Sequence, residues 1–432
     1  MTESSNTCDT HGSADKRNCV GFAIRELYVG TVSASGEFHD SLLHTPDQGQ
    51  TTTWSSSVDP WHEPSNFDPP LGDQVGVDLF YTSGVTRGLP AMIPIAMVFN
   101  IPEDAAAEIA YLEKRKYPIS YVEMGEEPDG QFMLPEDYAA LYVRFADAPH
   151  KVDPALKLGG PVYNGQNEDI VVWPDAQGRT SCTRRFVEYL RDHGHLKGLA
   201  FFPFEHYPYV PRTVTWNSLY DEPRLVSHLM DVWHDDGVPA DVPMFITESN
   251  LSWQTDESFV DIFGALWLAD YAGAFLTSGG KALYYFHYLP MGVHHGCNNS
   301  MGTFGMFTTT EKDYQIVQPT SQYFGSQLIN LEWMQPGSGE HRLFRAMGRF
   351  AGSRGTRADH RVCGAAPGRQ YPLMVVNRDQ WNAHKVRITF HDNQVNADRF
   401  FAGTVETTTF GRAQYQWRPV PREGLPIRTA RR

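Results

Sequence analysis

From residue 91 onward, short apolar runs alternate with longer amphipathic stretches. Residues 91–99 form a continuous apolar run, the pattern of a strand covered on both faces. A helix begins at Pro102, with Glu103 and Asp104 in its first turn and Ala105, Ile109 and Leu112 on one face. Lys114, Arg115 and Lys116 close it, so acid comes first and base last, as the helix dipole favours. An extended run at Tyr121 and Val122 follows, then a helix over 135–148 with Tyr138, Leu141, Tyr142 and Phe145 on one side. Strands are expected over 156–163, 199–204, 243–248 and 282–288. Helices are expected over 183–193, 223–233, 259–276 and 321–333.

This alternation predicts an α/β protein with a parallel sheet, and its length favours a (β/α)8 TIM barrel. Before residue 91 the pattern is poorer. Residues 1–20 read as disordered, 22–32 as one strand, 36–50 as a loop, 51–62 as a strand closing on Asp59-Pro60-Trp61-His62, and 75–88 as a helix. A barrel needs two strands there, so the expectation is a barrel incomplete at its N-terminus, with residues 1–50 poorly defined and the barrel over 51–333. Beyond it, 373–377 and 385–390 read as strands joined by a hairpin-like connection. In the second, Val386, Ile388 and Phe390 alternate with Arg387 and Thr389, the pattern of a small C-terminal β-sandwich over 334–432. Residues 342–369 are crowded with Arg and Gly and predict a mobile, poorly packed segment.

Composition narrows the function. The chain has 432 residues, enough for one large domain and a smaller one, and a net charge of −15. That charge argues against nucleic acid or an anionic membrane as partner but not against a neutral polysaccharide. The five cysteines are scattered, with no pair at zinc-ribbon spacing. No run has the length and apolarity of a membrane span, and the polar start has no signal-peptide pattern, so the compartment stays open.

Two apolar runs end in carboxylates. Tyr121-Val122-Glu123-Met124-Gly125-Glu126-Glu127-Pro128-Asp129-Gly130 is a strand tip turning into a loop, and Met244-Phe245-Ile246-Thr247-Glu248 is a second. Strand tips face the active site in a barrel. Singly, a glutamate there is more often a solvated carboxylate or a helix cap. Two of them, ending strands three apart in order, are the minimum equipment for cleaving a glycosidic bond.

The layout resembles the clan A glycoside hydrolases, with the acid/base on strand four and the nucleophile on strand seven. Glu126-Glu127-Pro128 matches the clan's Asn-Glu-Pro motif and Thr247-Glu248 its Thr-Glu motif. The run ending Gly159-Gly160-Pro161 is similar to family 39 members and their relatives. The resemblance implies Glu127 as general acid/base, Glu248 as nucleophile, a retaining mechanism and no metal or cofactor. It implies that Tyr207 bonds the nucleophile and that His206 lines the site. Tyr285, His287 and Tyr288 occupy the region where relatives often carry a tryptophan platform, and Glu126 stands where the clan has Asn. A non-catalytic carbohydrate-binding barrel and a metal-dependent hydrolase are the alternatives. His294-His295-Gly296-Cys297 is the candidate patch for the latter, although no regular element pairs its ligands.

Overall fold

The computed structural model describes residues 30–40, 77–98, 101–131, 133–165, 167–293, 302–310, 313, 315–334, 341–345, 359–365, 372–400 and 404–417. The segments 1–20, 22–29 and 51–62, the 294–297 patch and the tail from 418 lie outside the described residues.

In chain order the elements are β1 (Gly30–Val32), β2 (Phe38–Asp40), α1 (Val77–Thr82), β3 (Ala91–Ile95), α2 (Pro102–Lys114), β4 (Ile119–Met124), α3 (Pro135–Val152), β5 (Leu158–Gly159) and α4 (Cys182–Asp192). Then come β6 (Phe202–His206), α5 (Ser218–Asp235), β7 (Met244–Ser249), α6 (Ile262–Thr277), β8 (Ala282–Leu283), β9 (Met291–Gly292), β10 (Phe307–Thr309), β11 (Ile316–Pro319) and α7 (Ser321–Gln327). A π-helical turn at Leu328–Trp333 precedes β12 (Arg342–Arg345), β13 (Asp359–Ala365), β14 (Leu373–Asn377), β15 (Phe390–Asp392) and β16 (Ala397–Arg399).

The chain forms two compact units, 1–205 with 229–247 and 206–228 with 248–432, so β6, α5 and β7 each begin in one and end in the other. The first unit is built on parallel strands. β3 pairs with β4, and β4 with β5. Bridges at Gly159–Phe201 and Tyr163–Phe204 continue the sheet to β6, and the Phe202 amide donates to Pro243 O at the start of β7. Consecutive strands thus lie side by side, the order of a β/α repeat. On one face Tyr121, Phe201 and Phe245 meet with ring centroids 4.8–5.1 Å apart. On the other, Phe202 and Phe204 pack on Trp233 of α5.

Two glycines make the sheet's helix layer possible. A Cβ on Gly159 would lie 2.5 Å from the Phe201 ring, and one on Gly160 would lie 2.2 Å from the Tyr138 hydroxyl. That hydroxyl donates to Met124 O, tying α3 to the end of β4. Arg185 of α4 is buried and bonds both oxygens of Glu136 on α3, which joins the two helices.

In the second unit, α6 is buried along almost its whole length, starting at an Asp261 cap whose carboxylate accepts from the Ile262 amide. Gly325 of α7 sits 3.2 Å, measured from a Cβ built on it, from Ala265 of α6, so small residues set that crossing. Arg378, just past β14, is buried and reaches Asp270 of α6 at 3.0 Å and Leu219 O of α5 at 2.9 Å.

Several expectations change. The Arg- and Gly-rich 342–369 segment contains β12 and β13, and β13 pairs antiparallel with β12 on one side and β14 on the other. Main-chain hydrogen bonds build that sheet whatever the side-chain charge, so composition misled there. Residues 385–389 form no strand, and Val386 and Ile388 are exposed, because alternation builds a strand only where a surface exists to cover. The 282–288 strand shrinks to β8. The 36–50 loop contains β2, which hairpins with β1. Among the described residues no helix is long and apolar enough to cross a membrane.

Candidate active site

In the first unit the chain leaving β4 turns sharply. Gly125 has φ +86°, and Glu127 has φ +43°, a left-handed conformation that costs a non-glycine residue about 1–3 kcal/mol. The surroundings hold it: the Glu127 amide donates to Val162 O at 2.9 Å, and Glu127 O accepts from the Gln131 amide at 3.1 Å. Asn164, with its amide nitrogen turned toward Glu127, donates to Oε1 at 2.7 Å and accepts from the Gly130 amide at 3.3 Å. Gly130 is needed there, since a Cβ would lie 2.6 Å from the other end of the Asn164 side-chain amide, the oxygen in this orientation.

Burial pushes the Glu127 carboxyl above its ordinary range; a side-chain bond with Glu205 pulls the other way, and the nearby Asp129 charge adds to the rise. Glu126 is raised as well, by burial first and then by the Glu127 charge. Asp129 is held above its ordinary range by burial, against backbone and side-chain donors from Asn164. Glu205 is 1% exposed at the tip of β6. It shares strand parity with Phe201, on the Tyr121–Phe245 face, which is how it reaches Glu127. Sequence reasoning passed over it, although alternation through 201–205 carries that signal.

In the second unit the Tyr207 hydroxyl donates to Glu248 Oε1. That bond fixes the orientation of the carboxylate at the end of β7. Tyr207 is buried, so its phenol is largely withdrawn from solvent.

His206 departs from its expected place lining the site. Alternation puts it on the face of Phe202 and Phe204, the helix side of the strand. It is fully buried, and its Nε2 lies 2.6 Å from Glu222 Oε1. Tyr285 donates to Gln322 Oε1 of α7, and burial holds its phenol well above the ordinary range. His287 is partly exposed, with Nδ1 3.0 Å from Leu289 O. Asn250 and Gln322, which the sequence did not single out, join at 3.2 Å behind Tyr285.

The first unit therefore offers a partly buried carboxyl that retains its proton more readily than an ordinary glutamate, and the second unit offers a carboxylate oriented by a phenol. The first suits general-acid chemistry and the second nucleophilic or charge-stabilising chemistry.

No family model and no curated protein sequence matches the chain. Solved structures do. It is similar to a glucosidase from Croceicoccus marinus, at 17% identity and TM-score 0.36 over 51% of this chain. It spans 44% of that glucosidase, under half its length. It is similar to a 4-O-α-L-rhamnosyl-β-D-glucuronidase from Fusarium oxysporum, at 16% identity and TM-score 0.48, covering 79% of this chain and 69% of that one. A GH51 arabinofuranosidase from Xanthomonas axonopodis pv. citri is similar at 15% identity and TM-score 0.49, covering 78% and 69%. Likeness of this degree defines neither substrate nor mechanism.

Proposed function

We propose that the protein is a retaining glycoside hydrolase that cleaves O-glycosidic bonds of an oligo- or polysaccharide with Glu127 as general acid/base and Glu248 as nucleophile. The observation that carries the proposal is the setting of Glu127: a carboxyl at a parallel-strand tip, held in a left-handed turn and pushed by burial toward its protonated form. An acid catalyst must hold its proton at the start of the reaction, and this setting supplies that.

In the proposed reaction Glu127 gives its proton to the leaving oxygen while Glu248 attacks the anomeric carbon. Water then enters, loses a proton to the now ionised Glu127 and displaces Glu248, restoring both groups. The mechanism calls for carboxyls about 5–5.5 Å apart. It uses no metal and no cofactor. Tyr207 positions the nucleophile, Glu126 accepts from a sugar hydroxyl, and Tyr285 and His287 belong to the substrate-binding side. The parallel strands of the first unit are taken as consecutive strands of a (β/α)8 barrel over 51–333, and the C-terminal antiparallel strands as a β-sandwich.

Paired variants test this against a panel of aryl glycosides. Glu248→Ala abolishes turnover on every substrate. Glu127→Ala keeps turnover on substrates with very acidic leaving groups, and azide restores rate to it. Near wild-type turnover of an unactivated substrate by both variants overturns the proposal. Wild-type protein that binds oligosaccharide without cleaving any glycoside would place it among non-catalytic binders.

A further inference from the structure

Behind Tyr207 lies a buried polar cluster that the proposed reaction does not use. Glu222 of α5 has no exposed surface, and neither has His206. Three donors converge on the Glu222 carboxylate: His206 Nε2 at 2.6 Å from Oε1, with Trp267 Nε1 at 2.9 Å and the Tyr209 hydroxyl at 2.8 Å from Oε2. The Trp267 ring lies nearly parallel to His206, and Tyr271 stacks on Trp267 at 4.6 Å. Every member belongs to the second unit.

His206 Nδ1 has no hydrogen-bond partner, so the ring's hydrogen bond is the one between Nε2 and Glu222.

Such a cluster is a poor device for stability, because apolar isosteres avoid desolvating its polar groups. Its placement accounts for it better. His206 and Tyr209 stand on either side of Tyr207 and Pro208, and Glu222 grips both. The same segment is tied by its backbone to the residues after Glu248: the Asn250 amide donates to His206 O, and the Tyr209 amide donates to Leu251 O, each at 3.2 Å.

We propose that Glu222 is a positioning residue: by holding His206 and Tyr209 it fixes the Tyr207 backbone so that the phenol meets Glu248. This rests on the reading of Glu248 as the nucleophile, yet the geometric claim has a readout of its own. Glu222→Gln keeps the shape but replaces one acceptor oxygen with a donor, which disturbs either the His206 contact or the Trp267 and Tyr209 contacts together. If the amide nitrogen faces His206, Nε2 must accept, and the ring then buries an unpartnered Nδ1–H.

Four full-length proteins test the inference: wild type, Glu222→Gln, Tyr207→Phe and the double variant, with Tyr209→Phe as a milder release of the grip should Glu222→Gln fail to fold. Tyrosine labelled at Cζ, with the Tyr207 resonance assigned by its loss in Tyr207→Phe, reports the phenol's environment without any substrate. The expected result is a displaced Tyr207 resonance in Glu222→Gln and in Tyr209→Phe. On a glycoside that the wild type hydrolyses, Glu222→Gln lowers kcat about tenfold with KM nearly unchanged, the signature of a contact exercised in the transition state. In the Tyr207→Phe background the same substitution has no further effect, because the group being positioned is gone. An unmoved Tyr207 resonance, or a Glu222→Gln effect as large without the phenol as with it, overturns the inference. Absence of any wild-type turnover defeats the glycosidase reading instead and leaves the resonance test standing.

Discussion

The side-chain amide of Asn164 donates to Glu127 Oε1 across 2.7 Å. This bond favours the ionised carboxylate and so opposes the burial that favours the acid. Asn164→Asp removes the donor and adds a like charge, while its remaining oxygen can still accept from the Gly130 amide. The basic limb of the kcat/KM profile against pH is expected to rise by about one pH unit. A limb that stays in place or falls would separate Asn164 from the acid.

Glu126 should act in the opposite sense. The Glu127 charge raises the Glu126 carboxyl, and because repulsion between two carboxylates is mutual, Glu126→Gln should ease proton release from Glu127. The same basic limb is expected to move down, with the melting temperature nearly unchanged. If Glu126 accepts from a sugar hydroxyl, kcat/KM also falls more on a substrate with a 2-hydroxyl than on its 2-deoxy analogue. An unmoved limb together with equal effects on the two substrates would place Glu126 outside the site.

Asp169 and Asp236 form a carboxyl pair in the first unit, next to the Ser181 hydroxyl and with Arg184 3.3 Å from Asp236. Burial, and then the Asp236 charge, push Asp169 from 3.8 up to about 6. The folded protein therefore binds a proton that the unfolded chain has released, and stability falls as pH rises between about 4 and 6. With allowance for solvent screening, the loss is about 1–2 kcal/mol. Urea melts at pH 4 and pH 7 measure it. Asp169→Asn should flatten the difference, and an unchanged pH dependence in that variant would remove Asp169 as its source.

Arg378 and Asp270 are both buried and 3.0 Å apart. Asp270→Ala leaves the guanidinium without its counter-charge and should cost about 3–5 kcal/mol. Replacing both, Arg378→Met with Asp270→Leu, should recover most of that loss. Chemical denaturation of the three variants decides it. A double variant as unstable as Asp270→Ala would mean that the other Arg378 contacts, to Leu219 O and the Tyr220 ring, matter more than the ion pair.

The sequence alone determined the features that depend on local order. Apolar runs and helix-end charges located β3 to β7 and α2 to α6, and the turn after Met124 and the end of β7 at Ser249 put Glu127 and Glu248 at strand ends. These follow from periodicity and end effects, which neighbours along the chain settle. Strand parity was also written in residues 201–206, and it separates inward Glu205 from outward His206. The tertiary structure decided what depends on partners distant in sequence. Asn164 reaches Glu127 only because Gly130 leaves room. Glu222 meets His206 only because α5 packs behind the strand. Residues 342–345 and 359–365 become strands in a sheet with β14, while 385–389 does not, its apolar side being exposed. Hydrogen-bond partners and burial are properties of the folded neighbourhood, and a linear pattern specifies them only where the partner is a few residues away.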